Sequence, residues 1–188
     1  MTIPYKQLVI SQLDHHSHDT LPIHACNCIK IKHGETTAYN TDIAGFEKSL
    51  QKKLRPNQRR ALILGNGGAT EAVRFVLKKL DIQFKIVSRS LHEGSDLVYE
   101  DLNQEMIEES LLLINTTPLG MFPNTDQFPL IPYEFIGPGH LLFDLIYNPG
   151  KTLFLQKGEE RGATIQNGAD MLVIQAEESW NIWNDPSK

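Results

Sequence analysis

The sequence has little that would tie it to a membrane or an oxidising compartment. Its only cysteines, Cys26 and Cys28, flank one residue, which is too close for an ordinary structural disulfide, so we predict reduced thiols. The longest apolar runs, residues 61–64 and 111–114, fall far short of the ~20 residues that a membrane-spanning helix needs. The first residues also lack the charged start, apolar centre and cleavage site of a signal peptide. We predict a cytoplasmic protein.

An excess of positive charge is absent too. Lysine and arginine number 18 against 23 aspartates and glutamates, for a net charge of -5. No overall field would gather nucleic acid or an anionic membrane, so a phosphate ligand would need a local site. The basic run at residues 52–60 (KKLRPNQRR) is interpreted as a solvated helix end and loop. We therefore expect a small-molecule ligand as partner, with no nucleic acid and no membrane.

The first part of the chain predicts a small antiparallel piece followed by a helix. Alternating segments at residues 27–32 and 36–39, with a glycine-containing turn between them, indicate a hairpin. Apolar residues then recur at helical spacing. This pattern predicts one amphipathic helix with Thr41 or Asp42 as N-cap and Pro56 as its stop.

Beyond this helix, strands and helices alternate. A buried run, a glycine turn, an amphipathic helix and a strand at residues 84–88 make one βαβ unit. Only about seven residues then lead to the next strand, so a loop must replace the usual crossover helix. A last helix, about residues 170–183, places Met171, Gln175 and Ser179 along one exposed side. Further strands are predicted near residues 61–65, 97–99, 111–115, 140–144 and 163–166, and helices near residues 102–109 and 152–158. The pattern indicates an α/β fold with a Rossmann-type, doubly wound, mostly parallel sheet.

The glycine turn at residues 65–69 (GNGGA) is a candidate phosphate site. It ends a buried strand and opens a helix, and helix-start N–H groups receive a pyrophosphate in that context. Thr70 stands where the third glycine of the G-x-G-x-x-G pattern would be. The alternative is a purely structural glycine turn.

The end of the second strand bears on the choice of cofactor. An acidic residue there would bind the ribose 2′-hydroxyl of NAD, whereas an arginine accommodates the 2′-phosphate of NADP. This chain has Ser88, Arg89 and Ser90 at that point, a guanidinium with two small hydroxyls beside it. NADP is favoured over the alternative, an exposed arginine without a ligand.

Seven segments, taken in order, resemble those of the shikimate dehydrogenase family. No single segment is decisive, but seven in the right order are specific. They are residues 2–6 (TIPYK), 40–46 (NTDIAGF), 65–69 (GNGGA), 88–90 (SRS), 115–121 (NTTPLGM), 144–149 (DLIYNP) and 167–176 (NGADMLVIQA). The resemblance implies an NADP-dependent oxidoreductase of chorismate and aromatic amino acid biosynthesis, which interconverts 3-dehydroshikimate and shikimate.

The resemblance also implies an acid-base pair, Lys6 and Asp42. The lysine would donate a proton to the carbonyl oxygen as hydride arrives at the carbon, and the carboxylate would orient the ammonium. Sequence alone would make both of them surface charges, and the motif context reverses that interpretation.

Other site residues follow from the same resemblance. Substrate hydrogen bonds are expected from Thr2, Asn27, Tyr147 and Gln175. Cofactor contacts are expected from Gly65, Asn66, Gly67, Gly68, Ala69, Ser88, Arg89, Ser90, Asn115, Thr117 and Gly168. No metal is expected, because the histidines at positions 15, 16, 18 and 24 fall in a polar loop without ligand spacing.

Three parts of the chain are predicted to have different roles. Residues 1–42 would be a remnant of the substrate-binding and catalytic domain, residues 43–168 the NADP-binding domain, and residues 169–188 a helix packing back toward the first part. The family carries an opening strand-helix-strand portion ahead of the lysine motif, and we expect this chain to lack it. Self-association or disorder of the first ~45 residues would follow. A quinate/shikimate dehydrogenase-like protein, or a non-catalytic NADP-binding module, is the alternative.

Overall fold

A computed structural model describes residues 5–18, 20, 23–91 and 93–186 of the chain. Residues 5–39 contain a short helix, α1 (Tyr5–Leu8), and a small sheet in the order β1-β3-β2. The predicted hairpin is confirmed: β2 (Cys28–Lys32) pairs antiparallel with β3 (Glu35–Tyr39). The turn is one residue tighter than expected, because Glu35 pairs with Lys32.

The third strand of this sheet, β1 (His15–His16), was missed by the sequence analysis. It pairs in parallel with β3, so the prediction that these two histidines lie in a loop is wrong. No apolar alternation marks the segment, and tertiary contacts hold it in place. The Asp14 carboxylate accepts from the N–H and hydroxyl of Thr36, and the Ser17 N–H donates to the Ala38 carbonyl.

The helix that follows the hairpin is α2 (Thr41–Gln51). Its N-cap is Asn40, whose side-chain oxygen accepts from the Asp42 N–H at 3.1 Å, so the predicted caps Thr41 and Asp42 are wrong. Asn40 has the extended backbone that a cap requires, whereas Thr41 and Asp42 already belong to the first turn. The helix also ends five residues before Pro56.

The larger sheet is parallel throughout, in the order β6-β5-β4-β7-β8-β9, and it confirms the predicted fold class. Its strands are β4 (Arg60–Leu64), β5 (Gln83–Ser88), β6 (Leu97–Val98), β7 (Leu112–Asn115), β8 (Leu141–Asp144) and β9 (Thr164–Gln166). The helices beside it are α3 (Thr70–Lys79), α4 (Gln104–Glu109), α5 (Leu153–Glu160) and α6 (Ala169–Asn184). The expected loop connects β5 to β6, with no helix among its described residues. None of the helices in the described part of the chain is long and apolar enough to cross a membrane.

The sheet buries one core on each face. Alternate residues of β4 point to opposite sides, so Ile63 joins one core, and Leu62 and Leu64 join the other. The first core also takes in Ile23 and Ala25, from the segment before the hairpin. The first part of the chain therefore shares a core with the larger sheet.

Candidate active site

Lys6 and Asp42 form an ion pair at the base of the small sheet. Lys6 lies on α1 and Asp42 in the first turn of α2, with 2.5 Å between Nζ and Oδ2. The two side chains are 20% and 13% exposed, so the pair is partly shielded from water yet reachable. Backbone pairing helps to hold α1 here, since the Cys26 N–H donates to the Lys6 carbonyl at 2.8 Å.

Asn27 links this pair to the last helix. Its amide nitrogen donates to Asp42 Oδ1 at 3.0 Å and to Gln175 Oε1 at 3.3 Å. The side-chain oxygen of Asn27, Oδ1, accepts from the Thr41 N–H at 2.8 Å. The structure thus gathers Lys6, Asp42, Asn27 and Gln175 into one cluster, although Gln175 lies 148 residues beyond Asn27.

The hydroxyls of Thr41 and Ser179 contact this cluster, although the sequence did not assign them to the site. Thr41 Oγ1 lies 3.1 Å from Ser179 Oγ and donates to Asn27 Oδ1 at 3.3 Å. Ser179 in turn donates to the Gln175 carbonyl at 2.9 Å. Ser179 shares a helix side with Gln175, as its four-residue spacing predicts, but this side packs on α2 and is half-buried.

Helices α2 and α6 run antiparallel in close contact. Thr41 meets Ser179 at one end, and Lys52 pairs with Asp170 at the other, with 2.9 Å between Nζ and Oδ2. Between them, a Cβ built on Gly45 would lie 2.8 Å from the Met171 carbonyl oxygen. Only a residue without a side chain fits there, so Gly45 sets how closely Gln175 approaches the Lys6–Asp42 pair.

Of the other two predicted substrate residues, the structure describes only Tyr147. Tyr147 follows β8 and is half-exposed, and it is not among the described hydrogen-bond partners of the cluster. Thr2 lies outside the described residues.

The glycine turn between β4 and α3 combines a tight packing point with open space. Gly65 has φ +109°, and a Cβ there would lie 2.8 Å from the Thr116 and Thr117 side chains. At Gly67 and Gly68 a Cβ would meet no atom of the described residues within 4 Å. The chain itself therefore does not need glycine at these two exposed positions, and the space beside them is free for a ligand.

Thr70 replaces the third glycine of the pattern and closes the turn from within. It is fully buried, and its hydroxyl donates to the Gly65 carbonyl and accepts from the Gly67 N–H, both at 3.2 Å. Thr116 Oγ1 lies 2.9 Å away. A threonine thus links the turn to the loop after β7.

A cavity of about 660 Å³ lies beside the end of β5. Arg89 lines it together with Tyr99, whose pKa burial raises to about 12 while the Arg89 charge acts in the opposite direction. The adjoining Ser88 hydroxyl donates to the Ser90 carbonyl at 2.6 Å. Two acidic residues, Glu100 and Asp126, also line this cavity, so Arg89 is not its only charge.

The carboxyl ends of β7 and β8 carry buried polar side chains. Asn115 is fully buried, and its side chain bonds to Asp144 and Thr117. Gly168 lies close by: its N–H donates to the Ile146 carbonyl at 3.0 Å, and a Cβ there would lie 2.1 Å from the Leu145 carbonyl oxygen. The predicted cofactor residues at the ends of β4, β5, β7 and β9 thus lie along one edge of the sheet.

The two cysteines and the histidines of β1 belong to the first part of the chain. Both thiols are buried and unpaired as a disulfide, and burial raises the pKa of Cys26 and Cys28. His15 lies 3.2 Å from Glu35, and His16 bonds to the Ile10 carbonyl. Across the described residues, no three His, Cys, Asp or Glu side chains are grouped so as to hold a metal ion.

The fold defines a class, the Rossmann-type α/β proteins, which bind nucleotides at the carboxyl edge of an open parallel sheet. The NADP(+)-dependent shikimate dehydrogenase of Methanococcus maripaludis is 37% identical to this chain. The similarity covers 97% of this chain and 70% of the Methanococcus enzyme. The chain belongs to the shikimate dehydrogenase family, as its seven segments predict. No family model matches it.

Two solved structures agree with this assignment. A chorismate mutase/shikimate 5-dehydrogenase fusion protein of Clostridium acetobutylicum has a TM-score of 0.87 and 34% identity, over 98% of this chain and 68% of its own. The shikimate 5-dehydrogenase of Thermus thermophilus, in complex with NADP(H) and shikimate, has a TM-score of 0.85 and 29% identity, over 99% of this chain and 74% of its own. This chain thus spans about 70% of the length of such relatives.

Proposed function

We propose that this chain reversibly reduces 3-dehydroshikimate to shikimate with NADPH. The observation that carries the proposal is the shielded Lys6–Asp42 pair, joined through Asn27 to Gln175 in a chain of this family. Bound NADPH would supply the hydride to the carbonyl carbon. The protein must then deliver one proton to the carbonyl oxygen.

Lys6 is the proton donor in this proposal. Its ammonium would give a proton to the substrate oxygen in the direction of reduction and take it back in the direction of oxidation. Asp42, with one oxygen on Lys6 Nζ and the other on Asn27 Nδ2, fixes the direction of the ammonium. Asn27 and Gln175 present amide groups beside the pair, suited to the hydroxyls of a cyclic polyol. Thr2 and Tyr147 would complete the substrate contacts.

The residues present fit a dinucleotide along the carboxyl edge of the sheet. The open space at Gly67 and Gly68 would take the pyrophosphate, at the start of α3. Arg89, with Ser88 and Ser90, would bind the 2′-phosphate at its cavity. Asn66 and Ala69, in the glycine turn, complete the phosphate-side set. Gly65, Asn115, Thr117 and Gly168 would shape the nicotinamide end.

The division of the chain follows from these assignments. Residues 1–42 would supply the acid-base pair, residues 43–168 the cofactor sheet and residues 169–188 a helix that reaches back with Gln175. We place the reaction in the cytoplasm, where thiols such as Cys26 and Cys28 stay reduced. We also infer self-association through the first ~45 residues, because Ile31 is exposed on an outer strand of the small sheet.

The test is a spectrophotometric assay of shikimate oxidation with NADP on the 188-residue chain. Lys6→Met should lower the turnover number by roughly 10² to 10⁴ while leaving NADP binding intact. Lys78→Met, at an exposed position of α3, is the matched control and should retain activity. Normal turnover of Lys6→Met would show that another residue donates the proton. Oxidation of quinate instead of shikimate would overturn the substrate assignment.

A further inference from the structure

One buried carboxylate holds together three loops at the carboxyl edge of the sheet. Asp144 ends β8 and is fully buried. Its Oδ1 accepts from Asn115 Nδ2 and from the Ile146 N–H, both at 3.1 Å, and its Oδ2 accepts from Thr152 Oγ1 at 2.5 Å. In this arrangement the two carboxylate oxygens serve as acceptors for three donors.

Each of the three connections from Asp144 is called an arm, and the first arm runs to the loop after β7. Asn115 faces Asp144 across paired strands and accepts at Oδ1 from the Thr117 N–H (3.0 Å) and hydroxyl (2.6 Å). A rotated amide would set its oxygen against the carboxylate and its NH₂ group against the Thr117 N–H. The carboxylate therefore selects the amide orientation that holds Thr117.

The second arm runs to the segment that carries Tyr147. By holding the Ile146 N–H, Asp144 fixes the backbone one residue before Tyr147. The Ile146 carbonyl in turn accepts from the Gly168 N–H, at the residue just before α6. The third arm ends at Thr152, the N-cap of α5, which also lies against the loop at Gly120.

We propose that Asp144 is a positioning residue for the reaction. Its carboxylate sets Thr117 toward the cofactor and Tyr147 toward the substrate, without itself touching the cofactor or the substrate. The inference rests on the proposed function, because Thr117 and Tyr147 are assigned their ligands there. Asp144 reaches Thr117 only through Asn115, and Tyr147 only through the backbone.

Three variants and a control separate this role from simple stability. Asp144→Ala removes all three bonds, whereas Asp144→Asn keeps an oxygen for the two N–H donors and lets the Thr152 hydroxyl turn to accept. Asn115→Leu breaks only the cofactor arm. Gln58→Leu is the control: Gln58 is equally buried and makes two hydrogen bonds at the opposite edge of the sheet, one accepted from the Arg55 N–H and one donated to the Gly139 carbonyl.

Calorimetry, steady-state kinetics and amide hydrogen exchange are then compared at a temperature where each variant is folded. Asp144→Ala should raise the Kd of NADP and the KM of shikimate at least about tenfold, the loss expected from orphaned donors of a buried carboxylate. Asp144→Asn should stay within about threefold of the wild type. Asn115→Leu should raise the Kd of NADP but leave the KM of shikimate within about twofold. Because Asn115 is itself a predicted cofactor contact, the exchange rate of the Thr117 amide in this variant is the readout that keeps the test valid if Asp144→Ala does not fold.

Hydrogen exchange distinguishes failure of this inference from failure of the proposed function. Both Asp144→Ala and Asn115→Leu should speed exchange of the Thr117 amide. Asp144→Ala should also speed exchange of the Ile146 amide. Gln58→Leu should leave exchange at both amides unchanged. Unchanged exchange and unchanged ligand constants in a folded Asp144→Ala chain overturn the positioning role. Equal losses in Gln58→Leu overturn it too, since stability alone would then account for them. A wild-type chain that binds neither NADP nor shikimate overturns the proposed function, and with it the purpose assigned to Asp144.

Discussion

At the scale of single residues, Asp144 links the site to the stability of the whole chain. Burial raises its pKa from the usual 3.8 to about 6, against the lowering effect of its hydrogen bonds to Thr152, Ile146 and Asn115. The folded chain therefore binds this proton more tightly than the unfolded chain does. Its contribution to stability is complete below pH 3.8 and is lost as the pH rises through 6.

The first prediction follows from this sign. Between about pH 3 and 7 the free energy of unfolding of the wild type should fall, relative to Asp144→Asn, by a total of about 3 kcal/mol. The asparagine side chain of the variant does not titrate, so urea denaturation of both proteins across this range isolates the carboxyl. Parallel curves for the two proteins would show that Asp144 does not carry a raised pKa.

A second prediction concerns Arg89, at the end of β5. Arg89→Ala should weaken NADP binding by about 1.5 to 3 kcal/mol and leave NAD binding nearly unchanged, because only NADP carries the 2′-phosphate. Titration calorimetry with both cofactors measures the ratio of the NAD and NADP dissociation constants. Arg161→Ala, an exposed arginine just after α5, is the control. An unchanged ratio in Arg89→Ala would leave the 2′-phosphate to other residues.

What sequence could predict at this scale depended on the motif around each residue. Lys6 and Asp42 look like ordinary surface charges by themselves, and only their segments marked them as a pair, which the structure brings together. The Thr41–Ser179 contact had no such signal, because 138 residues separate its partners. Asn40 was missed as a cap because three neighbouring polar residues can each cap a helix, and backbone geometry decides among them.

At the scale of elements, the packing of α2 on α6 gives a third prediction. Gly45→Ala would normally stabilise a helix by roughly 0.5 to 1 kcal/mol. Here the added methyl would meet the Met171 carbonyl at 2.8 Å, and overpacking costs about 1 to 3 kcal/mol, so the net effect should be destabilising. Shikimate binding should weaken as Gln175 moves away from Asn27.

Urea denaturation and calorimetry with shikimate test this pair of effects. Gly137→Ala is the control, because a Cβ there meets nothing within 4 Å in the part of the chain that the structure describes. A Gly45→Ala chain that is more stable than the wild type, with normal shikimate binding, would show that α6 can shift without cost to the site.

Sequence predicted the regular elements well and the irregular ones poorly. The larger sheet follows from continuous apolar runs such as that of β4, and the short β5–β6 connection from a simple count of residues. The two-residue strand β1 is too short to show a period, and its pairing with β3 depends on tertiary contacts. The four-residue helix α1 was missed for the same reason.

At the scale of the whole molecule, the small sheet gives the fourth prediction. Its outer strand β2 presents Ile31, which is 73% exposed, although Trp183 and Lys30 tie part of this strand to the end of α6. Light scattering over a range of concentrations should show association, and Ile31→Lys should reduce it. Gln104→Lys adds the same charge on α4, far along the chain, and should not. A wild-type chain that stays monomeric throughout would contradict this prediction.

Helix α6 fixes the distance between the end of β8 and the Lys6–Asp42 pair. It begins just after Gly168, beside the end of β8, and carries Gln175 to the Lys6–Asp42 pair. About seven residues separate these two positions, a helical rise of about 10 Å. Adding or removing one residue in that interval would turn Gln175 by about 100° around the helix axis, away from Asn27. The separation between the end of β8 and the Lys6–Asp42 pair is therefore set by the number of residues in this stretch of α6.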